Sequence, residues 1–151
     1  MRIIVCFLLV SVLSSSARAQ LAVGVSPGNV EIVGDSISAS LSGATGDAIR
    51  GQAIVFDRAA GNCLICHQVP ATSEPFQGNV GPDLSGVGSR LSEGQIRLRL
   101  VDQSRLNPAT LMPPFYRVDD LTRVAARFKG APVLSAAQLE DVLAFLVSLK
   151  N

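Results

Sequence analysis

The rhythm of apolar and polar positions changes along the chain, and the changes divide it. Residues 3–13 form an apolar run broken only by Ser11, placed behind Met1-Arg2 and followed by small and polar residues up to Ala17-Arg18-Ala19. That order predicts a secretory signal peptide over 1–19, cleaved after about Ala19, and the run is too short to span a bilayer. Over 20–45 Val, Ile, Ser and Gly recur without a long period, with turn signals at Pro27-Gly28-Asn29 and Gly34-Asp35. This stretch reads as an irregular N-terminal extension with short extended pieces such as 30–33, lying on the domain or on a partner. Between 47 and 58 the spacing turns helical, with Ile49, Ala53 and Phe56 at i, i+4 and i+7. Gly51 is costly inside a helix, and its presence there predicts close approach by another helix.

The C-terminal half carries clearer signals. Ser92 and Gln95 fit a capping box, so a helix is expected from there to about Gln103, although the alternation over 96–100 would also suit a strand. Asn107-Pro108 breaks the chain. Leu121, Val124, Ala125 and Phe128 predict a short amphipathic helix from about Asp119, stopped by Gly130. Ser135 and Gln138 form a second capping box, and Leu139, Val142, Leu143, Leu146 and Leu149 line one face of the helix after it. Ala144 and Phe145 are placed to meet the helix that contains Gly51. The expected architecture is all-α, one domain over 46–151 in which two terminal helices cross.

Charge adds an exclusion. The sequence has 13 basic and 12 acidic residues, and loss of Arg2 and Arg18 with the signal leaves 11 against 12, a net of −1. No basic run survives, so nucleic acid and anionic membrane surfaces are poor partners. Cysteine usage adds chemistry. Cys6 leaves with the signal, and the remaining two lie in Cys63-Leu64-Ile65-Cys66-His67, beside the single histidine. C-x-x-C-H is the attachment signature of a c-type haem. On a helical turn, positions three and four apart share a face, so both thiols can add across haem vinyl groups while His67 reaches the iron. A structural zinc site needs four ligands and finds too few here. A thioredoxin-like pair would want a strand–helix–strand setting, and a simple disulfide between Cys63 and Cys66 leaves His67 without a role.

Two further stretches fit around that motif. The loop over 78–88, centred on Gly81-Pro82-Asp83-Leu84, can set a backbone carbonyl against the free ring nitrogen of His67, fixing the imidazole and raising its basicity. Thr110-Leu111-Met112-Pro113-Pro114-Phe115-Tyr116 contains the one methionine besides Met1. A six-coordinate haem iron with a soft neutral ligand has Met112 as its candidate, on a loop stiffened by two prolines. Lys129, Lys150 and Tyr116 are the alternatives.

These residues resemble a class I cytochrome c: C-x-x-C-H near the start, a Gly-Pro-x-Leu loop, a Met-Pro loop and a C-terminal helix. The combined string is more specific. Gly61-Asn62-Cys63-Leu64-Ile65-Cys66-His67 followed by Gly81-Pro82-Asp83-Leu84-Ser85-Gly86-Val87-Gly88-Ser89-Arg90 resembles the SoxX family, the monohaem subunits of the SoxAX sulfur-oxidation cytochromes. Met112-Pro113-Pro114-Phe115-Tyr116-Arg117, Leu134-Ser135-Ala136 and Glu140-Asp141-Val142 fit the same family, and the likeness runs from about Gly46 to the end. Two features depart from minimal cytochromes c, a longer gap between Phe56 and Cys63 and the N-terminal extension.

The resemblance implies one covalent haem c held by Cys63 and Cys66, with His67 and Met112 as axial ligands. It implies a periplasmic electron-transfer subunit in a heterodimer with a SoxA-type cytochrome, not catalytic alone. That complex is an L-cysteine S-thiosulfotransferase that oxidatively couples thiosulfate to a cysteine of the SoxYZ carrier, and electrons pass on to a soluble acceptor. Leu64 and Ile65, between the two thioether positions, are expected near an exposed haem edge as part of the docking surface. The rival functions are a free periplasmic cytochrome c shuttle and a haem-free disulfide oxidoreductase using Cys63 and Cys66.

Overall fold

The computed structural model describes residues 24–70 and 72–151; the signal-peptide expectation over 1–19 lies outside them. Four helices follow in order, α1 (Ala48–Phe56), α2 (Val87–Arg90), α3 (Glu93–Asp102) and α4 (Ala136–Ser148), with 3₁₀ turns at Pro27–Asn29, Cys63–Ile65, Gln103–Arg105 and Ala126–Phe128. Among the described residues there is no strand, only an isolated antiparallel bridge between Val33 and Ser36. None of the described helices is long and apolar enough to cross a membrane.

The crossing of α1 with α4 organises the rest. Asp47 starts α1 by accepting the Ile49 and Arg50 amides on Oδ1 at 2.9 and 3.0 Å. One turn on, Gly51 touches the α4 backbone so closely that a Cβ there would lie 1.9 Å from the Asp141 carbonyl oxygen. The glycine therefore permits the helix crossing expected of it. Below it, Phe56 and Phe145 meet edge to face, ring centroids 5.9 Å apart. The crossing also corrects the face expected for α1. Gly51 and Val55 are buried, whereas Ile49 is 80% exposed. Bringing Gly51 to the contact rotates Ile49 outward, which the spacing of apolar residues alone did not reveal.

Both capping boxes form as expected, with Ser92 accepting from Gln95 N–H and Ser135 from Gln138 N–H. α4 is buried on nearly every side, including Glu140 and Asp141. Glu140 faces Arg97 of α3 in a bidentate pair, Nε to Oε1 at 2.9 Å and Nη2 to Oε2 at 3.0 Å. The same pair ties in the N-terminal segment: Arg97 Nη1 donates to the Ile37 carbonyl, and the Leu41 amide donates to Glu140 Oε1, both at 2.8 Å. Ile37 and Leu41 sit in the core beside Leu98, Leu139 and Leu143. The irregular segment thus satisfies buried charges with its main chain and adds apolar side chains to the interior.

One expected helix does not form. Over 119–129 only the 3₁₀ turn Ala126–Phe128 is regular, and Asp120 and Arg123 take left-handed backbone conformations (φ 53° and 57°) that no α-helix contains. No residue from 119 to 129 is buried. A short amphipathic helix draws its stability from a packed face, and this segment has none to pack.

Candidate functional site

The Cys63-x-x-Cys66-His67 stretch folds as a single tight turn rather than a longer helix. Asn62 enters it in the left-handed region (φ 50°). The amides of Cys66 and His67 then both donate to the Cys63 carbonyl, at 3.1 and 2.9 Å. One turn is enough to put Cys63, Cys66 and His67 on the wall of one cavity of about 710 Å³. The volume falls in the range of small-molecule and cofactor pockets, roughly 300–1,000 Å³. Its lining is mostly apolar, with Leu84, Val87, Leu91, Ile96, Leu100 and Phe115 among the contributors.

The two thiols are unpaired. Burial pushes the Cys63 thiol up to about 11, so it is protonated at neutral pH. A disulfide oxidoreductase needs the opposite, a thiol pushed down so that thiolate is present. Among the described residues no group of three or more His, Cys, Asp or Glu side chains could hold a metal ion.

The loop after the motif is laced to it through main chain. Gly78, Gly81 and Leu84 donate their amides to the carbonyls of Leu64, Cys66 and Gln68, at 2.8, 2.8 and 2.9 Å. Gly81 then lies against the imidazole, where a Cβ would be 2.3 Å from His67 Cε1. The next carbonyl, Pro82, is 2.7 Å from His67 Nδ1. A carbonyl only accepts, so Nδ1 carries the proton and Nε2 keeps its lone pair for another partner. This is the backbone contact expected of the loop. Asp83 fixes the turn by accepting the Ser85 amide at 2.7 Å, a bond that holds its carboxyl below the usual range. Arg90 donates to the carbonyls of Ser85 and Asp83.

Met112 lines the same cavity, its amide donating to Thr110 Oγ1 at 3.1 Å. Beyond the prolines, the Phe115 and Tyr116 amides donate to the carbonyls of Leu100 and Val101 at 3.2 and 3.3 Å. These are last-turn carbonyls of α3 that no helical amide reaches. Of the alternative ligands, Tyr116 is buried and donates its hydroxyl to the Val25 carbonyl at 2.5 Å. Neither it nor Lys129 nor Lys150 lines the cavity.

Leu64 and Ile65 divide rather than act together. Leu64 points into the core at 3% exposure, which removes it from any docking surface, while Ile65 is 59% exposed at the cavity rim. The one-turn geometry explains the split, since adjacent residues on a turn face different ways. Val80 and Leu111, 65% and 81% exposed, complete an apolar rim with Ile65. Sequence reasoning also missed the polar lining from Arg99, Gln103 and Asn107. A signal for part of it was present: Ile96, Arg99, Leu100 and Gln103 stand at i, i+3, i+4 and i+7, one face of α3 continued into the turn after it, and all four line the cavity.

No protein-family model and no curated protein matches the sequence. Among solved structures, the crystal structure of SoxXA from P. pantotrophus is similar, at 39% sequence identity with a TM-score of 0.79. The match covers 85% of this chain and 99% of that one.

Proposed function

Because the chain belongs to the SoxX family and shares its all-α, class I cytochrome c-like fold, we propose that it is the monohaem electron-accepting subunit of a SoxAX-type complex. The observation that carries this reading is the convergence of Cys63, Cys66, His67 and Met112 on one apolar cavity, with His67 Nδ1 tied to the Pro82 carbonyl. Cys63 and Cys66 would supply two thioether sulfurs, His67 Nε2 the proximal nitrogen and Met112 the second axial ligand of one haem c. When bound, the haem supplies a one-electron centre that His/Met ligation biases toward the ferrous state. The chain's own part is to hold and insulate it. Pro82 keeps the proton on Nδ1 so that Nε2 stays a donor, and the apolar walls exclude water. Ile65, Val80 and Leu111 offer a rim on which a SoxA-type cytochrome can dock.

Within such a complex, thiosulfate is joined to a cysteine of a SoxYZ-type carrier: the cysteine S–H bond gives up its proton, a sulfur–sulfur bond forms, and the two electrons released leave one at a time. Once Cys6 has left with the signal, the chain offers no spare thiol or histidine for that step, so its part is to accept electrons and pass them to a soluble acceptor. The reading places the mature protein in the periplasm after cleavage near Ala19, with an extension over 20–45 and the haem domain over 46–151. Stopped-flow absorbance of the haem tests it. Adding thiosulfate in the presence of the SoxA-type partner and SoxYZ should reduce this haem rapidly, and omitting the partner should abolish the reaction. Equal reduction without a partner, or none with it, would favour a free periplasmic shuttle.

A further inference from the structure

The segment that presents Met112 is anchored by a buried charge that nothing in the haem-binding role requires. Asp102, at the end of α3, is 2% exposed. Its Oδ2 accepts from Arg117 Nη1 at 3.0 Å and from Arg105 Nε at 3.2 Å. Its Oδ1 accepts from Ser104, through the hydroxyl at 2.5 Å and the amide at 3.1 Å. Arg117 Nη1 also donates to Ser104 Oγ at 3.3 Å. A carboxylate taken this far out of water is tolerated only while its donors remain.

The two arginines serve different segments. Arg105 belongs to the turn directly after α3, and 57% of its side chain is exposed. Arg117 is 24% exposed and comes after Met112-Pro113-Pro114-Phe115-Tyr116, so it closes the stretch that presents the methionine. The prolines limit the freedom of the chain between the sulfur and the guanidinium. The Phe115 and Tyr116 amides meanwhile complete the open end of α3. Among the described residues, the buried side-chain atoms left without a partner are Gln103 Oε1, on the residue after Asp102, and Arg117 Nε. Gln103 itself lines the cavity.

We infer that the Asp102/Arg117 ion pair is a positioning clamp for Met112, holding the loop against α3 so that the methionine sulfur stays in the cavity. Both residues act through the loop and neither is a ligand. The inference rests on Met112 being the axial ligand. A clamp of this kind sets an equilibrium between a closed site and one in which the sulfur has left, and an added ligand that binds only the open site reports that equilibrium.

Imidazole titration of the ferric holoprotein, followed at the Soret band and at the weak far-red sulfur–iron band, is the test. Arg117→Gln should bind imidazole about tenfold more tightly than the wild type and show a weakened far-red band. Arg105→Gln shares the carboxylate but not the loop, and should stay within about twofold of wild type. Wild-type affinity in Arg117→Gln, or an equal shift in Arg105→Gln, would overturn the clamp. Should Arg117→Gln yield no holoprotein, Asp102→Asn keeps the side-chain shape without the charge and reads the same pair; wild-type affinity there would also overturn it. Met112→Ala separates the two levels. Loss of the far-red band confirms the ligand on which the clamp acts, whereas an unchanged spectrum refutes that ligand and the clamp with it.

Discussion

The His67 wall and the Met112 wall border the same cavity but are held by different means. Around His67 the contacts are main chain. Three amides lace the loop to the motif, a carbonyl receives the ring proton, and a glycine lies where any side chain would collide. Around Met112 two amides are joined by an ion pair, so part of the hold resides in side-chain charge. A backbone contact is short, stiff and insensitive to salt, and it fails abruptly when an atom is inserted. An ion pair depends on which side chains are present, so replacing either partner changes the hold. The wall carrying the histidine is thus built to be fixed, and the wall carrying the methionine to be adjustable.

The most severe way to break that difference is Gly81→Ala. The added methyl would sit 2.3 Å from His67 Cε1, so the ring or the loop must move and the 2.7 Å bond to the Pro82 carbonyl is lost. Losing the partner that orients a ligating histidine weakens its hold on a metal about ten- to hundredfold. Because two thioethers would keep the haem on the chain, the loss should appear in its ligation: the share of His67-ligated iron, read at the Soret band against an added competing ligand, should fall by about tenfold. A fully loaded variant with unchanged histidine ligation would show that this wall is as adaptable as the other.

On the separate scale of stability stands Glu140→Gln, which removes a charge that does not line the cavity. Glu140 and Arg97 are each 3% exposed, and removing one partner of a buried pair strands the other at a cost of about 3–5 kcal/mol. The Leu41 amide bonded to Glu140 is also weakened, so the N-terminal segment should loosen first. Denaturant unfolding should show the loss while haem content holds, because no cavity-lining contact is touched. A change under about 1 kcal/mol would mean that solvent already reaches the pair.

How much of this could be read in advance follows the same division. The C-x-x-C-H turn, the carbonyl against His67, the capping boxes and the role of Gly51 were legible because each is local or tied to one residue type with one physical use. The Arg97/Glu140 and Asp102/Arg117 pairs were not, since the partners stand 43 and 15 positions apart and nothing local marks a charge as buried. Periodicity misled twice. It assigned α1 the face containing Ile49, and it suggested a helix over 119–129 where no packed surface exists to stabilise one. The alternation noticed over 96–100 also concealed the stripe of α3 that lines the cavity. The pattern shows that a residue can face inward, but tertiary packing decides which one does.

The smallest expected effect concerns the rim of the α1/α4 crossing, where a backbone contact and a charge pair lie side by side. Asp141 accepts the Asp47 amide at 2.7 Å and Arg50 Nε and Nη2 at 2.8 Å each. The Arg50 hydrogen bond is the leading cause that holds the Asp141 carboxyl below its ordinary range. A carboxyl depressed in the folded state contributes stability above its unfolded value, near pH 3.9, and loses it as pH falls through the lower folded value. The contribution is therefore intact at neutral pH and fades below about pH 4. Arg50 is 63% exposed, so water and salt screen the pair, whereas the Gly51 contact beside it does not titrate. Wild type should lose more stability than Asp141→Asn between pH 6 and pH 3, and added salt should shrink the gap. Parallel losses in both proteins would assign this crossing to backbone packing alone, and would place it with the fixed wall rather than the adjustable one.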